Sequence, residues 1–214
     1  MHYYADIWAI VLEVLQLQDD DYGLLPQVVA ATEERLGAKM PESLSAFYLQ
    51  FGKQPQLLQA HARFANPNEL YVMRGGLVFC KECQGSYFWA VELNSQKDVD
   101  VPVVQGNSRE SIWHPYTDSM RAFLNGMACW QAIHALSSKA TAPVSPEAFA
   151  RIQANYSRIE STSTGPNGSD LHGYYTEGLM ICAFPKQNKC YVAAHEDSTL
   201  MAFEQECKLP LSWL

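Results

Sequence analysis

The sequence predicts an α+β fold in which a curved, mainly antiparallel sheet carries helices packed on one side. Two observations predict it. Apolar residues recur at three- and four-residue spacing through residues 3–51, a pattern typical of amphipathic helices. From residue 70 onward, short runs rich in Val, Phe, Tyr and Trp alternate with glycines, as in antiparallel strands joined by tight turns. With 214 residues, of which 48% are apolar and 18% charged, the chain can bury a core without a disulfide or a metal.

Helices are predicted first at residues 3–17, from an apolar face that begins at Tyr4. The next two, 26–36 and 41–51, each have a proline at the start and a glycine immediately after the end. Helical spacing returns between Met120 and Trp130, and a further helix is predicted at 146–156.

Strands are predicted at 70–73, 77–80, 87–93, 101–104, 179–184, 190–194 and 200–203. Trp89 shares a strand face with Val91 and Leu93, so we expect Trp89 to be buried. Pro102 places the strand at 101–104 at a sheet edge or at a strand start. Residues 137–145 indicate a linker and 161–170 a loop, since both are rich in turn-forming and small polar residues.

The predicted domain organisation is a single domain over residues 1–214. It consists of an N-terminal helix extension (1–25), a core (26–136), and a C-terminal helix with strands (137–214) that extend the same sheet.

The net charge of −8 argues against a nucleic-acid-binding protein, which needs a basic face, and against docking on an anionic membrane. The first 36 residues alone carry a net charge of −6, which suits a basic protein partner as well as an ordinary solvated surface. No export signal or membrane span is recognisable, so the six cysteines are interpreted as reduced thiols and the expected location is cytoplasmic.

Only one motif suggests a metal, the C-x-x-C formed by Cys80 and Cys83. Zinc needs four ligands, and no second close pair of Cys or His follows, so we expect no metal and no cofactor. A redox role is less favoured still, because no helix start follows to stabilise a thiolate. Neither a nucleophile elbow nor a catalytic triad is visible, and the sequence therefore predicts a protein that is not an enzyme.

Four segments, in this order, resemble the SUKH superfamily. Residues 33–52 (EERLGAKMPESLSAFYLQFG) resemble its opening helices, and residues 75–93 (GGLVFCKECQGSYFWAVEL) its central hairpin, although Cys83 stands where the family pattern has Asn. Residues 98–104 (DVDVPVV) resemble its edge segment and 111–130 (SIWHPYTDSMRAFLNGMACW) its closing helix. The resemblance covers about residues 26–130.

The resemblance implies a protein-binding module without catalytic residues. Its bacterial members are implied to be mostly immunity proteins that neutralise a cognate toxin, often a nuclease or a deaminase. Other members are implied to be regulatory or scaffolding proteins, including regulators of cell-wall synthesis. The expected partner is therefore a protein toxin or another cytosolic protein. The sequence does not indicate the oligomeric state.

A surface that binds a basic partner should combine acids with aromatic residues. The candidate partner-binding residues are Glu82 at a hairpin tip, Asp98 and Asp100 beside the predicted edge segment, and Tyr116 in the loop before a helix. The alternative for each of them is an ordinary solvent-facing loop residue. Trp113 is open to two interpretations in the same way, as an exposed contact residue or as a core residue.

Overall fold

The computed structural model describes residues 4–18, 21–93, 100–160, 162 and 170–214. Its helices and antiparallel sheets confirm the α+β class. The helices are α1 (Ala5–Ala9), which continues as a π-helical turn (Ile10–Val14), α2 (Pro26–Leu36), α3 (Glu42–Phe51), α4 (Pro55–Gln59), α5 (Met120–Ala135), α6 (Pro146–Asn155) and α7 (Asp197–Cys207). None of the helices in these ranges is both long and apolar enough to cross a bilayer.

The strands form two separate antiparallel sheets. They are β1 (Ala62–Phe64), β2 (Tyr71–Met73), β3 (Gly76–Glu82), β4 (Tyr87–Glu92), β5 (Val103–Asn107), β6 (His114–Thr117), β7 (Ser138–Pro143), β8 (Ser157–Arg158), β9 (His172–Thr176), β10 (Leu179–Phe184), β11 (Lys189–Ala194) and β12 (Ser212–Trp213). The first sheet has the order β1-β3-β4-β5-β6, and β2 also pairs with β3. The second sheet has the order β12-β7-β11-β10-β9-β8.

The chain divides into two compact units, each built around one of these sheets. The first unit is Asp20–Phe123, and the second unit combines Met1–Asp19 with Leu124–Leu214. The C-terminal strands therefore do not extend the first sheet, which corrects that part of the predicted organisation. The expectation of a single domain over residues 1–214 stays a prediction.

The N-terminal helix packs within the second unit instead of extending the 26–136 core. The amide of Gly178 donates to the Glu13 carbonyl at 2.8 Å, and the side chain of Asn125 on α5 donates to the Asp6 carboxylate at 3.2 Å. An amphipathic helix must bury its apolar face, but its sequence does not state against which surface.

In the first unit, aromatic rings from α3 and α5 pack on one face of the sheet. Phe47 on α3 lies 5.1 Å from Phe64 on β1, and Phe79 on β3 lies 5.3 Å from Phe123 on α5, between ring centroids. All four rings are buried. Helices on this face agree with the expected arrangement.

The proline and glycine signals at the first unit's helices are confirmed. Pro26 begins α2, and Gly37 ends it in the left-handed conformation at φ +63°. Pro41 precedes the first residue of α3. Gly52 ends α3 for a packing reason, since a Cβ there would lie 2.5 Å from the Leu24 side chain.

The second sheet carries helices on both faces, which differs from the one-sided arrangement expected for a single sheet. On one face, a buried cluster joins Ile181 to Ile152 of α6 and Phe203 of α7. On the other face, Trp130 of α5 stacks on Phe184 at 5.8 Å between centroids. Every residue of β10 is buried, as expected for a continuous apolar strand covered on both sides.

Two predicted elements of the second unit are wrong. Residues 137–145, interpreted as a linker, contain β7, which pairs with β11 at the centre of the second sheet. Residues 200–203, interpreted as a strand, lie inside α7. The turn-forming residue types at 137–145 concealed the alternation of β7, in which Ala140 and Ala142 are buried and Thr141 between them is partly exposed. A short apolar run does not distinguish a strand from one turn of a buried helix. The loop predicted at 161–170 lies outside the described residues apart from residues 162 and 170.

Candidate functional site

A cleft of about 470 Å³ opens in the first unit, between the turn after β3 and the loop after β5. We call it the hairpin cleft. Its lining consists of Gly85, Ser86, Tyr87, Asn107, Ser108, Arg109 and Glu110. Because strands β4 and β5 pair antiparallel, Tyr87 faces Asn107 across the sheet, and this register brings the two connections to the same end.

Local hydrogen bonds fix both walls of the hairpin cleft. In the first wall, Gly85 adopts a left-handed conformation at φ +72°, which the turn between β3 and β4 requires. In the second wall, the Asn107 side-chain oxygen accepts from the backbone amides of Arg109 and Glu110, each at 2.9 Å. Asn side chains commonly stabilise tight turns by accepting hydrogen bonds from the backbone amides that follow them.

The charges of the hairpin cleft are unevenly paired. Glu110 lies 2.8 Å from Nε2 of His114, and this hydrogen bond, together with one from Asn107, lowers the pKa of the Glu110 carboxyl. The guanidinium of Arg109, by contrast, makes no ion pair or hydrogen bond with any described residue. The cleft therefore presents one arginine whose charge is not neutralised by a neighbour.

Glu82 is the last residue of β3 and faces Ala62 of β1. Its side chain is partly buried, and one carboxylate oxygen is fully buried without a hydrogen-bond partner among the described residues. Cys83 follows in the turn, is exposed, and donates to the His61 carbonyl. The predicted hairpin tip is confirmed, whereas the role of Glu82 as a contact residue stays a prediction.

Asp100 has a structural partner. Its carboxylate accepts from the backbone amide of Arg121 at the start of α5, with 3.0 Å between the atoms. The segment after it is not a sheet edge, because β5 lies between β4 and β6. Pro102 immediately precedes β5, in agreement with the second of the two predicted positions for this proline, a strand start. Asp98 lies outside the described residues.

Tyr116 packs on the helix-facing side of the first sheet. Its ring lies 5.7 Å from the Trp89 ring and 5.9 Å from the Phe123 ring. Burial raises the pKa of the Tyr116 hydroxyl. Trp89 itself is only 6% exposed, as predicted. Tyr116 is partly exposed, and its ring contacts attach it to this buried aromatic cluster.

Trp113 lies flat on the opposite face of the first sheet. A Cβ added at Gly106 would come within 2.7 Å of the indole, and one at Gly76 within 3.0 Å, so the two glycines leave the space the ring occupies. The indole N–H donates to the Arg74 carbonyl at 3.2 Å, and Phe88 meets the ring edge-on at 5.4 Å. The ring is half-buried, so Trp113 is neither a fully buried core residue nor a fully exposed one, and its role as a contact residue stays a prediction.

None of the four candidate residues selected from the sequence belongs to the described lining of the hairpin cleft, and the sequence analysis did not anticipate the cleft. Tyr87, Asn107 and Arg109 were not singled out, because β6 was interpreted as a loop and the second hairpin was therefore missed. The available signal was the polar run at 107–111 between two runs of apolar and aromatic residues.

No group of three or more His, Cys, Asp or Glu side chains in the described ranges could hold a metal ion. Cys80 is buried in strand β3, and burial raises the pKa of its thiol, whereas Cys83 is exposed in the turn that follows. The C-x-x-C motif therefore does not present two thiolates together. Comparisons of this chain with known protein families, with curated proteins and with solved structures gave no match.

Proposed function

We propose that this protein is a non-catalytic protein-binding module, and that it acts as an immunity protein that neutralises a cognate toxin of nuclease or deaminase type by occluding its active site. The observation that carries the proposal is the order of elements in the first unit. Two helices with proline starts precede an antiparallel sheet with a buried Trp89 on a central strand, and α5 closes the unit. This is the order that the SUKH resemblance implies.

Charge supports a basic partner. Both units are acidic: the first has twelve acids and nine bases, the second eleven acids and six bases. A net charge of −8 steers a basic protein toward the surface and raises its association rate, while a few buried anchors supply the affinity. A toxin that cleaves or modifies nucleic acid needs a basic cleft for its own substrate, so it has the complementary surface.

The second candidate function is a regulatory or scaffolding protein that binds a cytosolic protein without any toxin. One observation favours it: the hairpin cleft is not acidic overall, because Arg109 forms no ion pair with a described residue and Glu110 is engaged by His114. A surface of mixed charge is less suited to covering a strongly basic active site than a uniformly acidic one.

The test begins with capture of partners from the source cell on the immobilised protein, followed by mass spectrometry. Binding kinetics against the captured partner are then measured at two ionic strengths for the wild type and for the Glu82→Lys, Asp98→Lys double variant. The proposal expects slower association and a weaker salt dependence in the variant. Asp100 is left unchanged, because its bond to α5 makes it unsuitable as a surface-charge probe.

One result would contradict the immunity proposal. A captured partner that is neither a nuclease nor a deaminase, and whose activity is unaffected by this protein, would favour the scaffold. Inhibition of the partner's enzymatic activity at stoichiometric concentrations is the result that the immunity proposal requires. The matched control is Glu34→Lys, an exposed acid on α2 of the same unit, which should alter association less than the double variant if the contact surface is at the hairpin.

A further inference from the structure

We infer that the hairpin cleft is a carboxylate-binding site that takes an acidic side chain of an extended peptide segment. The inference goes beyond the proposed function, because its ligand is an acidic peptide segment and its contact residue is Arg109 instead of the acids selected from the sequence. The argument starts from the hydrogen-bonding groups that the cleft leaves unused.

The unused groups in the hairpin cleft can all donate a hydrogen bond, and one of them, the Arg109 guanidinium, can only donate. The Arg109 guanidinium and the hydroxyls of Ser86, Tyr87 and Ser108 form no hydrogen bonds with described residues, and all four residues line the cleft. The Asn107 side-chain oxygen, which would be an acceptor, is already occupied by two backbone amides. Because the guanidinium only donates, a ligand that pairs with it must bring acceptors, and the hydroxyls can donate to the same ligand.

The one acid in the lining does not neutralise Arg109. Glu110 is engaged by His114 at 2.8 Å and by Asn107, and these hydrogen bonds lower the pKa of its carboxyl. The loop bonds of Asn107 also hold the backbone at Arg109 in place before any ligand arrives. An arginine on a fixed backbone loses less conformational freedom on binding than one on a flexible loop.

The charge in the cleft favours a carboxylate over a phosphate. A guanidinium matches a carboxylate through two parallel N–H···O bonds, and one cation balances one negative charge. A phosphate group carries up to about two charges at neutral pH and is accordingly matched to clusters of cations. Within the described lining, Arg109 is the single basic residue.

The shape of the cleft favours a side chain on a peptide over a free small acid. At about 470 Å³ the cleft is larger than a carboxylate alone needs and is open to solvent. Tyr87 is 44% exposed and gives a flat apolar wall against which a neighbouring part of a peptide can lie. The carboxylate at Arg109 then fixes the register of the segment.

The experiment is a titration of the full-length ¹⁵N-labelled protein, followed by NMR. The probe is a blocked pentapeptide with a central glutamate, and the comparison is the same peptide with glutamine. We expect the glutamate peptide to shift the amides of Gly85, Ser86 and Ser108 and the Nε–H of Arg109. Arg109→Gln should weaken binding by about tenfold or more, the loss expected when a charge-assisted hydrogen bond is removed.

The matched control is Arg63→Gln, an exposed arginine of the same unit whose guanidinium is 3.4 Å from Glu69 and lies outside the cleft. This variant should bind the glutamate peptide as the wild type does. Equal binding of the two peptides, or unchanged binding in Arg109→Gln, would overturn the carboxylate assignment. Acetate binding as tightly as the glutamate peptide would overturn the peptide assignment.

These results are independent of the proposed function. A captured toxin that binds the wild type and Arg109→Gln equally would leave the immunity proposal standing while it contradicts the carboxylate site. Conversely, peptide binding lost specifically in Arg109→Gln would support the carboxylate site even where no toxin is captured.

Discussion

The Asp100 carboxylate accepts a hydrogen bond from the backbone amide of Arg121, with 3.0 Å between Oδ1 and N. The amides in the first turn of a helix have no partner within the helix, and a carboxylate there also interacts favourably with the helix dipole. Ser119 satisfies a second of these amides, since its hydroxyl accepts from Ala122 at 3.0 Å. Asp100, selected from the sequence as a candidate partner contact, thus caps the start of α5.

Asp100→Ala should therefore destabilise the protein by about 1 kcal/mol, the usual cost of losing a carboxylate or hydroxyl cap. Urea unfolding measures the change. Asp118→Ala removes a nearby exposed acid that makes no such bond within the described residues, and should change the free energy of unfolding by less than about 0.5 kcal/mol. Equal effects of the two variants would mean that overall charge, and not the hydrogen bond, matters.

Trp89→Ala should cost about 3–5 kcal/mol, because the buried indole packs against both the Tyr116 and the Phe123 rings. Thermal and urea unfolding both report it. Trp89→Phe should cost less, since it keeps an aromatic ring and removes an indole N–H that is buried without an acceptor in the described structure. Trp213→Ala is the control: that ring is 45% exposed, so a large loss there and a small one at Trp89 would refute the packing argument.

Cys83 should be the one thiol that reacts rapidly with a thiol reagent in the native protein. It is exposed, whereas the other five cysteines are buried. The thiolate is the form that reacts with the reagent, and burial disfavours the thiolate. The buried thiols should therefore react only when the protein unfolds. Cys83→Ser should abolish the rapid phase at a cost in stability of about 1 kcal/mol or less. Two or more fast thiols per chain would contradict this.

We expect no structural zinc. Two cysteines at a strand end and a turn supply at most half of a tetrahedral site. Elemental analysis of protein purified without a chelator checks the expectation, and about one zinc per chain would contradict it. In that case Cys83→Ser should lose the metal, which would identify the site.

Stability should fall in alkaline solution through the core of the second unit. Burial raises the pKa of the Cys190 thiol from 9.0 to about 12 and that of Cys207 from 9.0 to about 11. A raised folded-state pKa stabilises the folded form below the unfolded value, and this contribution is lost as pH rises from about 9 toward the folded value. Cys190→Ala should therefore lose less stability than the wild type between pH 8 and pH 10. A steeper loss in the variant would reverse the sign of this argument.

The sequence alone determined those elements whose signals are local. The start of α2 at Pro26, its end at Gly37 and the start of α3 after Pro41 follow from the sequence because these residues act through their own backbone geometry, whereas Gly52 ends α3 for a packing reason. The burial of Trp89 follows from strand alternation, and the hairpin before it from Gly85.

Only the tertiary structure decided which segments meet. Nothing local distinguishes a C-terminal strand that extends the first sheet from one that starts a second, since an unpaired strand edge offers the same backbone groups to either. The same holds for Asp100, whose partner Arg121 is 21 residues away, and for the hairpin cleft, which exists because Tyr87 pairs with Asn107 across two strands. Residue type sets what a side chain can do, whereas pairing and packing between distant segments decide which partner it reaches.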